Sequence, residues 1–195
     1  MRYCVLLGRP FVGNWERGLG WDWWQDPGYR LLGDFVSFGE SLRYPVYSSL
    51  TGFWDGLYST FWLDGLLSGN SGAASSAAWN DEFMLATALL SLPLTLAALV
   101  GIAHTLRRPF SEAKRMSLFA LACLGSYFVA FLHIFLAVPI YSNVKSSYAL
   151  GVLPCVAILI ASAFRLLPRN AASRAIVSGY LFSWLAFAYV SYFVW

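Results

Sequence analysis

The sequence predicts a mainly α-helical, polytopic membrane protein, and three observations lead to this class. Hydrophobic residues make up 58% of the 195 positions and charged residues 12%, which is about half of the roughly 25% charged residues in a soluble domain. Four apolar runs of membrane-spanning length follow one another in the second half of the chain. Nine of the ten acidic residues lie in residues 1–82, whereas eight of the thirteen basic residues lie in residues 83–195. We therefore predict a polar outer domain followed by a transmembrane domain with basic loops.

Residues 1–82 form the first predicted domain, which is rich in aromatic residues and contains no run long enough to span a bilayer. Seven of the nine tryptophans lie in it. Tryptophan and tyrosine concentrate at membrane–water interfaces, because their rings combine an apolar body with a polar tip. We expect a loop domain that rests on the outer surface of the membrane.

An amphipathic helix is predicted within this domain, over residues 46–67. Its apolar side chains recur at spacings of three and four residues, which places them on one helical face. They are Phe53, Trp54, Leu57, Tyr58, Phe61, Trp62 and Leu66. Asp55 falls on another face, and Asp64 lies beyond the end of the stripe. Such a helix fits the plane of the interface. Two interpretations remain open: it packs on the membrane domain with its acids in solvent, or it roofs a groove for a lipid substrate.

Four transmembrane helices are predicted to follow, over residues 83–106, 116–138, 148–167 and 175–195. Each run has about 20 residues or more, which is enough to cross the hydrocarbon core at 1.5 Å per residue. Pro93 and Pro154 interrupt two of the runs, and membrane helices tolerate such prolines by kinking.

Basic residues in the connections set the orientation of these helices. Four of them link the first and second runs and three link the third and fourth, whereas Lys145 is the only one between the second and third. The positive-inside rule places the two basic connections in the cytoplasm, so residues 1–82 and the 139–147 turn face outward. So long an outer domain needs earlier helices to export it. We therefore expect this chain to be part of a longer polytopic protein and to contact its upstream helices.

Lys145 lies in a short polar turn, residues 139–154, between two apolar runs. An ammonium group at the outer mouth of a membrane helix, just ahead of Tyr148, has two interpretations. It pairs with one of the outer acids, or it binds an anion at the N-terminus of the third helix, where free backbone N–H groups and the helix dipole favour negative charge. Lipid-linked phosphate is the anion expected at that surface.

The residues around this lysine resemble a motif of a known superfamily. The matching positions are Lys145, Tyr148, Leu150, Leu153 and Pro154. They resemble the helix start (Arg/Lys)-x-x-Tyr-x-Leu-x-x-Leu-Pro of the GT-C superfamily, the membrane glycosyltransferases that use polyprenyl-phosphate sugars. This superfamily includes glycosyltransferase family 39, the protein mannosyltransferases and the aminoarabinose transferase of lipid A. The segments GRPFVGNW (8–15), WWQDPGYR (23–30) and FWDGLYSTFWLDG (53–65) are similar to an outer loop of bacterial members.

The resemblance covers the C-terminal half of such an enzyme. It implies an inverting transfer of a sugar from a polyprenyl phosphate to an acceptor outside the bacterial inner membrane. In that mechanism Lys145 neutralises the leaving phosphate and Tyr148 hydrogen-bonds it, while Trp54, Tyr58 and Trp62 line a groove for the lipid or the sugar. Members of the superfamily keep their catalytic carboxylate in the first outer loop, upstream of the part that this chain resembles.

Within this chain, Asp55 and Asp64 are the candidates for a catalytic base, since a carboxylate can deprotonate an acceptor hydroxyl. The sequence has no spaced His/Cys cluster for a metal, no glycine-rich phosphate loop and no basic–aromatic surface for nucleic acid, and we expect no cofactor. The alternative to a transferase is a non-catalytic membrane scaffold or assembly protein whose outer domain binds a partner.

Overall fold

The computed structural model describes residues 32–45, 48, 51–63, 80–137 and 150–193. Its helices in chain order are α1 (Gly33–Val36), a 3-10 helix (Glu40–Leu42), α2 (Phe53–Trp62), α3 (Asp81–Arg107), α4 (Glu112–Ala137), α5 (Leu153–Phe164) and α6 (Ala171–Phe193). No strand occurs among the described residues. The prediction of a mainly α-helical protein is confirmed.

Three of the helices are long and apolar enough to cross a membrane. The candidate spans are Glu82–Arg107 in α3, Lys114–Leu136 in α4 and Ala171–Phe193 in α6. They correspond to the predicted runs 83–106, 116–138 and 175–195. The chain therefore has the helices of a membrane protein.

The remaining predicted run, residues 148–167, forms a shorter helix than expected. Helix α5 has 12 residues, which at 1.5 Å per residue is about 18 Å, well short of the roughly 30 Å hydrocarbon core. Pro154 stands in its first turn, where the missing amide is tolerated, so this proline begins the helix and does not kink it. Residues 150–152 form a 3-10 turn ahead of it. The predicted count of four spans is not confirmed among the described residues.

Helix α5 packs against α3 at a glycine. A Cβ atom at Gly101 would lie 2.0 Å from the carbonyl oxygen of Leu159, so the two backbones approach more closely than any larger residue at Gly101 allows. Leu159 is fully buried at this crossing. The contact fixes the position of α5, which carries Val152 and Val156 at its N-terminal end.

Helix α6 also packs along α3. The Asn80 backbone N–H donates to the Ser191 carbonyl at 3.0 Å, and the Asn80 side chain caps α3 by accepting from the amides of Glu82 and Phe83. The Tyr180 hydroxyl donates to the Leu90 carbonyl within α3. Polar contacts thus join the two helices both at the N-terminal end of α3 and further along that helix.

Helix α2 lies between α3 and α4 and is held by two apolar clusters. One cluster contains Phe53, Phe131, Phe135 and Val152. The other contains Tyr58, Leu63, Met84 and Ala88. Both ends of α2 are therefore packed against helices that carry candidate membrane spans.

Candidate functional site

A groove of about 670 Å³ opens between α2, α3, α4 and the start of α5. Its volume lies within the roughly 300–1,000 Å³ of ordinary small-molecule sites. The lining side chains are Val36, Phe38, Trp54, Leu57, Tyr58, Phe61, Trp62, Thr95, Ala98, Leu99, Leu124, Tyr127, Phe128, Phe131, Val152 and Val156. The set is almost entirely aliphatic or aromatic, so the groove favours an apolar occupant.

Trp54, Tyr58 and Trp62 all line this groove, as the sequence predicted for a groove formed by α2. They are spaced four residues apart, which places them one above another on the same helical face. Their use in substrate binding remains a prediction, but the structure brings the three side chains to one cavity.

The polar atoms of Trp54 and Tyr58 bond within the protein. The Trp54 indole N–H donates to the Phe35 carbonyl at 2.7 Å, and the Tyr58 hydroxyl donates to the Ala88 carbonyl of α3. Burial, with a smaller contribution from Tyr180, raises the pKa of Tyr58 well above its ordinary value. Tyr58 therefore stays a protonated donor, and both side chains present their apolar surfaces to the groove.

The third of these side chains, Trp62, donates its indole hydrogen bond to a hydroxyl group on α3. The Trp62 indole N–H donates to Thr95 Oγ1 at 2.9 Å, and Thr95 Oγ1 donates in turn to the Ser91 carbonyl at 3.0 Å. Beside it, the indole N–H of Trp184 on α6 donates to Ser91 Oγ at 2.8 Å, and the Trp62 and Trp184 rings pack edge to face with centroids 5.9 Å apart. Two hydroxyls four residues apart on α3 thus anchor α2 and α6.

Tyr127 carries the remaining polar group of the lining. Its side chain is 38% exposed, and a Cβ atom at Gly151 would lie 3.4 Å from its hydroxyl oxygen. No hydrogen bond to that hydroxyl is found among the described residues. Tyr127 therefore differs from the four other polar lining residues, whose donors are all engaged.

Asp55 lies on the side of α2 next to the groove-lining side and is not among the lining residues. It is 2% exposed, and its carboxylate accepts hydrogen bonds from the amides of Gly39, Glu40 and Ser41 and from Ser41 Oγ. The interpretation that places this acid in solvent is therefore wrong. Sequence reasoning missed the contact because the donors lie 14 to 16 residues upstream and no helical spacing links them to Asp55.

The Asp55 carboxylate holds a backbone turn beside the groove. Gly39 has a φ of 126°, a conformation that side chains with a Cβ rarely adopt, and this turns its amide toward the carboxylate. The preceding Phe38 packs edge-on against Tyr58, with ring centroids 5.5 Å apart. Asp55 does not line the groove. Its hydrogen bonds hold the turn that follows Phe38, which is a residue of the groove wall.

Lys145, Tyr148 and Asp64 lie outside the described residues, so their predicted roles remain predictions. The structure adds lining residues that the sequence analysis did not single out, above all Leu124, Tyr127, Phe128 and Phe131 on α4. Their spacing of three and four residues was a usable signal, but it lies inside a run that is apolar on every side.

Comparison with protein-family models, with curated proteins and with solved structures finds no match to this chain. Among the described residues, no group of three or more His, Cys, Asp or Glu side chains is arranged to hold a metal ion. We therefore base the functional proposal on the groove.

Proposed function

We propose that the groove binds the isoprenoid chain of a polyprenyl phosphate and that this chain is the C-terminal, lipid-binding part of a GT-C membrane glycosyltransferase. The protein would lie in a bacterial inner membrane with residues 1–82 on the outer side. The observation that carries the proposal is the groove itself: a 670 Å³ apolar space lined by Trp54, Tyr58 and Trp62 within a set of candidate membrane helices.

The depth of the groove favours a lipid over a water-soluble substrate. Thr95 lines it and lies 13 residues into the span that begins at Glu82, which is about 20 Å along the helix. That distance exceeds half of the roughly 30 Å hydrocarbon core. A hydrophobic chain gains roughly 25 cal/mol for each Å² of apolar surface that it buries, whereas a polar molecule would lose hydration there.

The chemistry proposed for the phosphate end rests on the resemblance. The acceptor hydroxyl would attack the anomeric carbon, the carbon–oxygen bond to the phosphate would break, and the proton would pass to a carboxylate. Lys145 would neutralise the charge that develops on the departing phosphate, and Tyr148 would hydrogen-bond it. The Asp55 carboxylate is engaged by four donor groups, which disfavours it as the base and leaves Asp64 or a carboxylate upstream, as the resemblance implies, for that role.

A non-catalytic lipid-binding scaffold is the second candidate, and one observation favours it. None of the described residues that line the groove is an acid, a histidine, a lysine or an arginine. The described part of the groove can therefore hold a chain but cannot by itself move a proton. Both candidates require that the groove bind lipid, and they differ in whether the phosphate is recognised.

The test measures lipid binding through the groove tryptophans. The protein is reconstituted in nanodiscs, and quenching of its fluorescence is titrated with a nitroxide-labelled prenyl phosphate. We expect saturable quenching in the wild type and a large loss of it in the Trp54→Phe/Trp62→Phe variant. Ala98→Phe, which fills the groove, should weaken binding, whereas Ala130→Phe, at an exposed position on α4 that does not line it, should not.

A comparison of ligands separates the two candidates. If the transferase proposal holds, the wild type binds the prenyl phosphate more tightly than the prenyl alcohol of equal length, and Lys145→Ala removes that preference. Equal binding of the two lipids by the wild type would contradict the phosphate assignment and favour the scaffold. Quenching that is unaffected by Ala98→Phe would contradict both.

A further inference from the structure

We propose that the Tyr127 hydroxyl donates a hydrogen bond to the oxygen attached to the first carbon of the bound chain. This inference rests on the proposed lipid-binding function and adds a residue that contacts the lipid. It assigns the groove to an oxygenated prenyl chain, an alcohol or its phosphate ester, in preference to a bare hydrocarbon.

Tyr127 lies in the interior of the candidate span in α4. It lies nine residues from the end of the candidate span at Leu136 and 13 residues from the start at Lys114, which is about 13 Å and 20 Å along the helix. Both distances place the residue inside a hydrocarbon core of roughly 30 Å. Tyrosines of the aromatic belt lie at the membrane–water interface, so that role does not account for Tyr127.

The other polar side chains of the described groove wall are hydrogen-bonded within the protein. Trp54, Tyr58, Trp62 and Thr95 each donate to an acceptor within the protein. Among the described residues no partner is found for the Tyr127 hydroxyl. A hydroxyl in an apolar medium without a partner is unfavourable, so this group requires an acceptor from outside the described helices.

The neighbouring hydroxyl on the same helix shows why Tyr127 differs. Ser126 Oγ donates to the Ala122 carbonyl at 2.9 Å, since a short side chain can reach the preceding turn of its own helix. The Tyr127 hydroxyl stands at the far end of a ring that lines the groove. It is therefore presented to the groove and not to the backbone of α4.

Space for an acceptor lies beside the Tyr127 hydroxyl. Gly151 offers no side chain there, and a Cβ atom at that position would already lie 3.4 Å from the Tyr127 oxygen. With Tyr127 38% exposed, an oxygen atom carried by the occupant can approach the donor. The next residue, Val152, also lines the groove, so the apolar chain can continue along the wall from that point.

The experiment compares a prenyl alcohol with the prenyl hydrocarbon of equal length. Each displaces the nitroxide-labelled prenyl phosphate from the protein in nanodiscs. The wild type should bind the alcohol about fivefold more tightly, as one hydrogen bond in an apolar site predicts. Tyr127→Phe, which removes only the oxygen atom, should reduce the ratio to near one and leave hydrocarbon binding unchanged. Tyr189→Phe, an exposed tyrosine that does not line the groove, should keep the wild-type ratio.

The outcomes separate the role of the Tyr127 hydroxyl from the groove assignment. A ratio near five that survives Tyr127→Phe would overturn the role of this hydroxyl while leaving the lipid groove intact. A ratio near one in the wild type, with both lipids displacing the probe, would do the same. Failure of both lipids to displace the probe would overturn the groove assignment and the role of Tyr127 with it. Gly151→Ala supplies a second variant and should lower alcohol binding more than hydrocarbon binding.

Discussion

Helix α2 has one side turned to residues 39–41 and an adjacent side turned to the groove. On the first side, Asp55 is buried and its carboxylate accepts from three amides and a hydroxyl. On the second, Trp54, Tyr58 and Trp62 direct their donors into the protein and leave apolar ring surface toward an open space. The Asp55 carboxylate is satisfied by donors within the chain, whereas the groove side leaves apolar ring surface open to a molecule from outside.

This difference separates structural from binding residues on one short helix. A side chain whose polar atoms are all engaged by its own chain stabilises the fold, and its loss should lower stability. A side chain that presents surface to a cavity without a partner should affect ligand binding more than stability. Substitutions on the two faces should therefore give different results in unfolding and in lipid-binding measurements.

The largest expected effect comes from Asp55→Ala. The change removes the acceptor of four donor groups at a site that is 2% exposed, and unpaired buried donors are unfavourable by about 1–3 kcal/mol each. We expect a loss of about 3 kcal/mol, because the loop can partly rehydrate. Thermal unfolding in detergent measures it, with Glu112→Ala, whose side chain is 95% exposed, as the control.

A loss for Asp55→Ala no larger than that for Glu112→Ala would contradict the structural role of this carboxylate. A loss of prenyl phosphate binding at unchanged stability would instead show that Asp55 contributes to ligand binding and not to the stability of the fold.

Gly101→Ala should have the next largest effect, because it forces apart α3 and α5. The new methyl group would lie 2.0 Å from the Leu159 carbonyl oxygen, and overpacking of this kind usually lowers stability by about 1–3 kcal/mol. Since α5 carries Val152 and Val156 into the groove wall, lipid binding should weaken as well. The matched control is Gly125→Ala in α4, where a Cβ atom meets nothing within 4 Å.

Unfolding and lipid titration of the two glycine variants provide the measurement. Equal stability of Gly101→Ala and Gly125→Ala would contradict the close approach of the two backbones. Normal lipid binding by a destabilised Gly101→Ala would show that α5 is not needed for the groove.

The sequence was sufficient for the features that depend on local pattern. Apolar run length predicted the three candidate spans, and the spacing of Trp54, Tyr58 and Trp62 predicted that they share a face. It was insufficient where distant segments meet. The burial of Asp55 depends on donors near Gly39, and no helical spacing links them to it. The start of α5 is a different case: Pro154 is a local signal for a first helical turn, but the sequence analysis interpreted it as a kink inside a longer run.

The smallest effect is expected for Trp62→Phe, which tests the groove face directly. The change removes the indole N–H that donates to Thr95 Oγ1 but keeps an aromatic ring at the groove. One hydrogen bond contributes about 1 kcal/mol to stability, and Thr95 still donates to the Ser91 carbonyl, so the loss should not exceed that value. Prenyl phosphate affinity, measured by displacement, should change by less than about threefold. Trp62→Ala, which also removes ring surface from the groove, should lower affinity much further. If both variants bind the lipid equally well, the ring is not part of the binding surface, and Trp62 belongs with Asp55 among the residues that only support the fold.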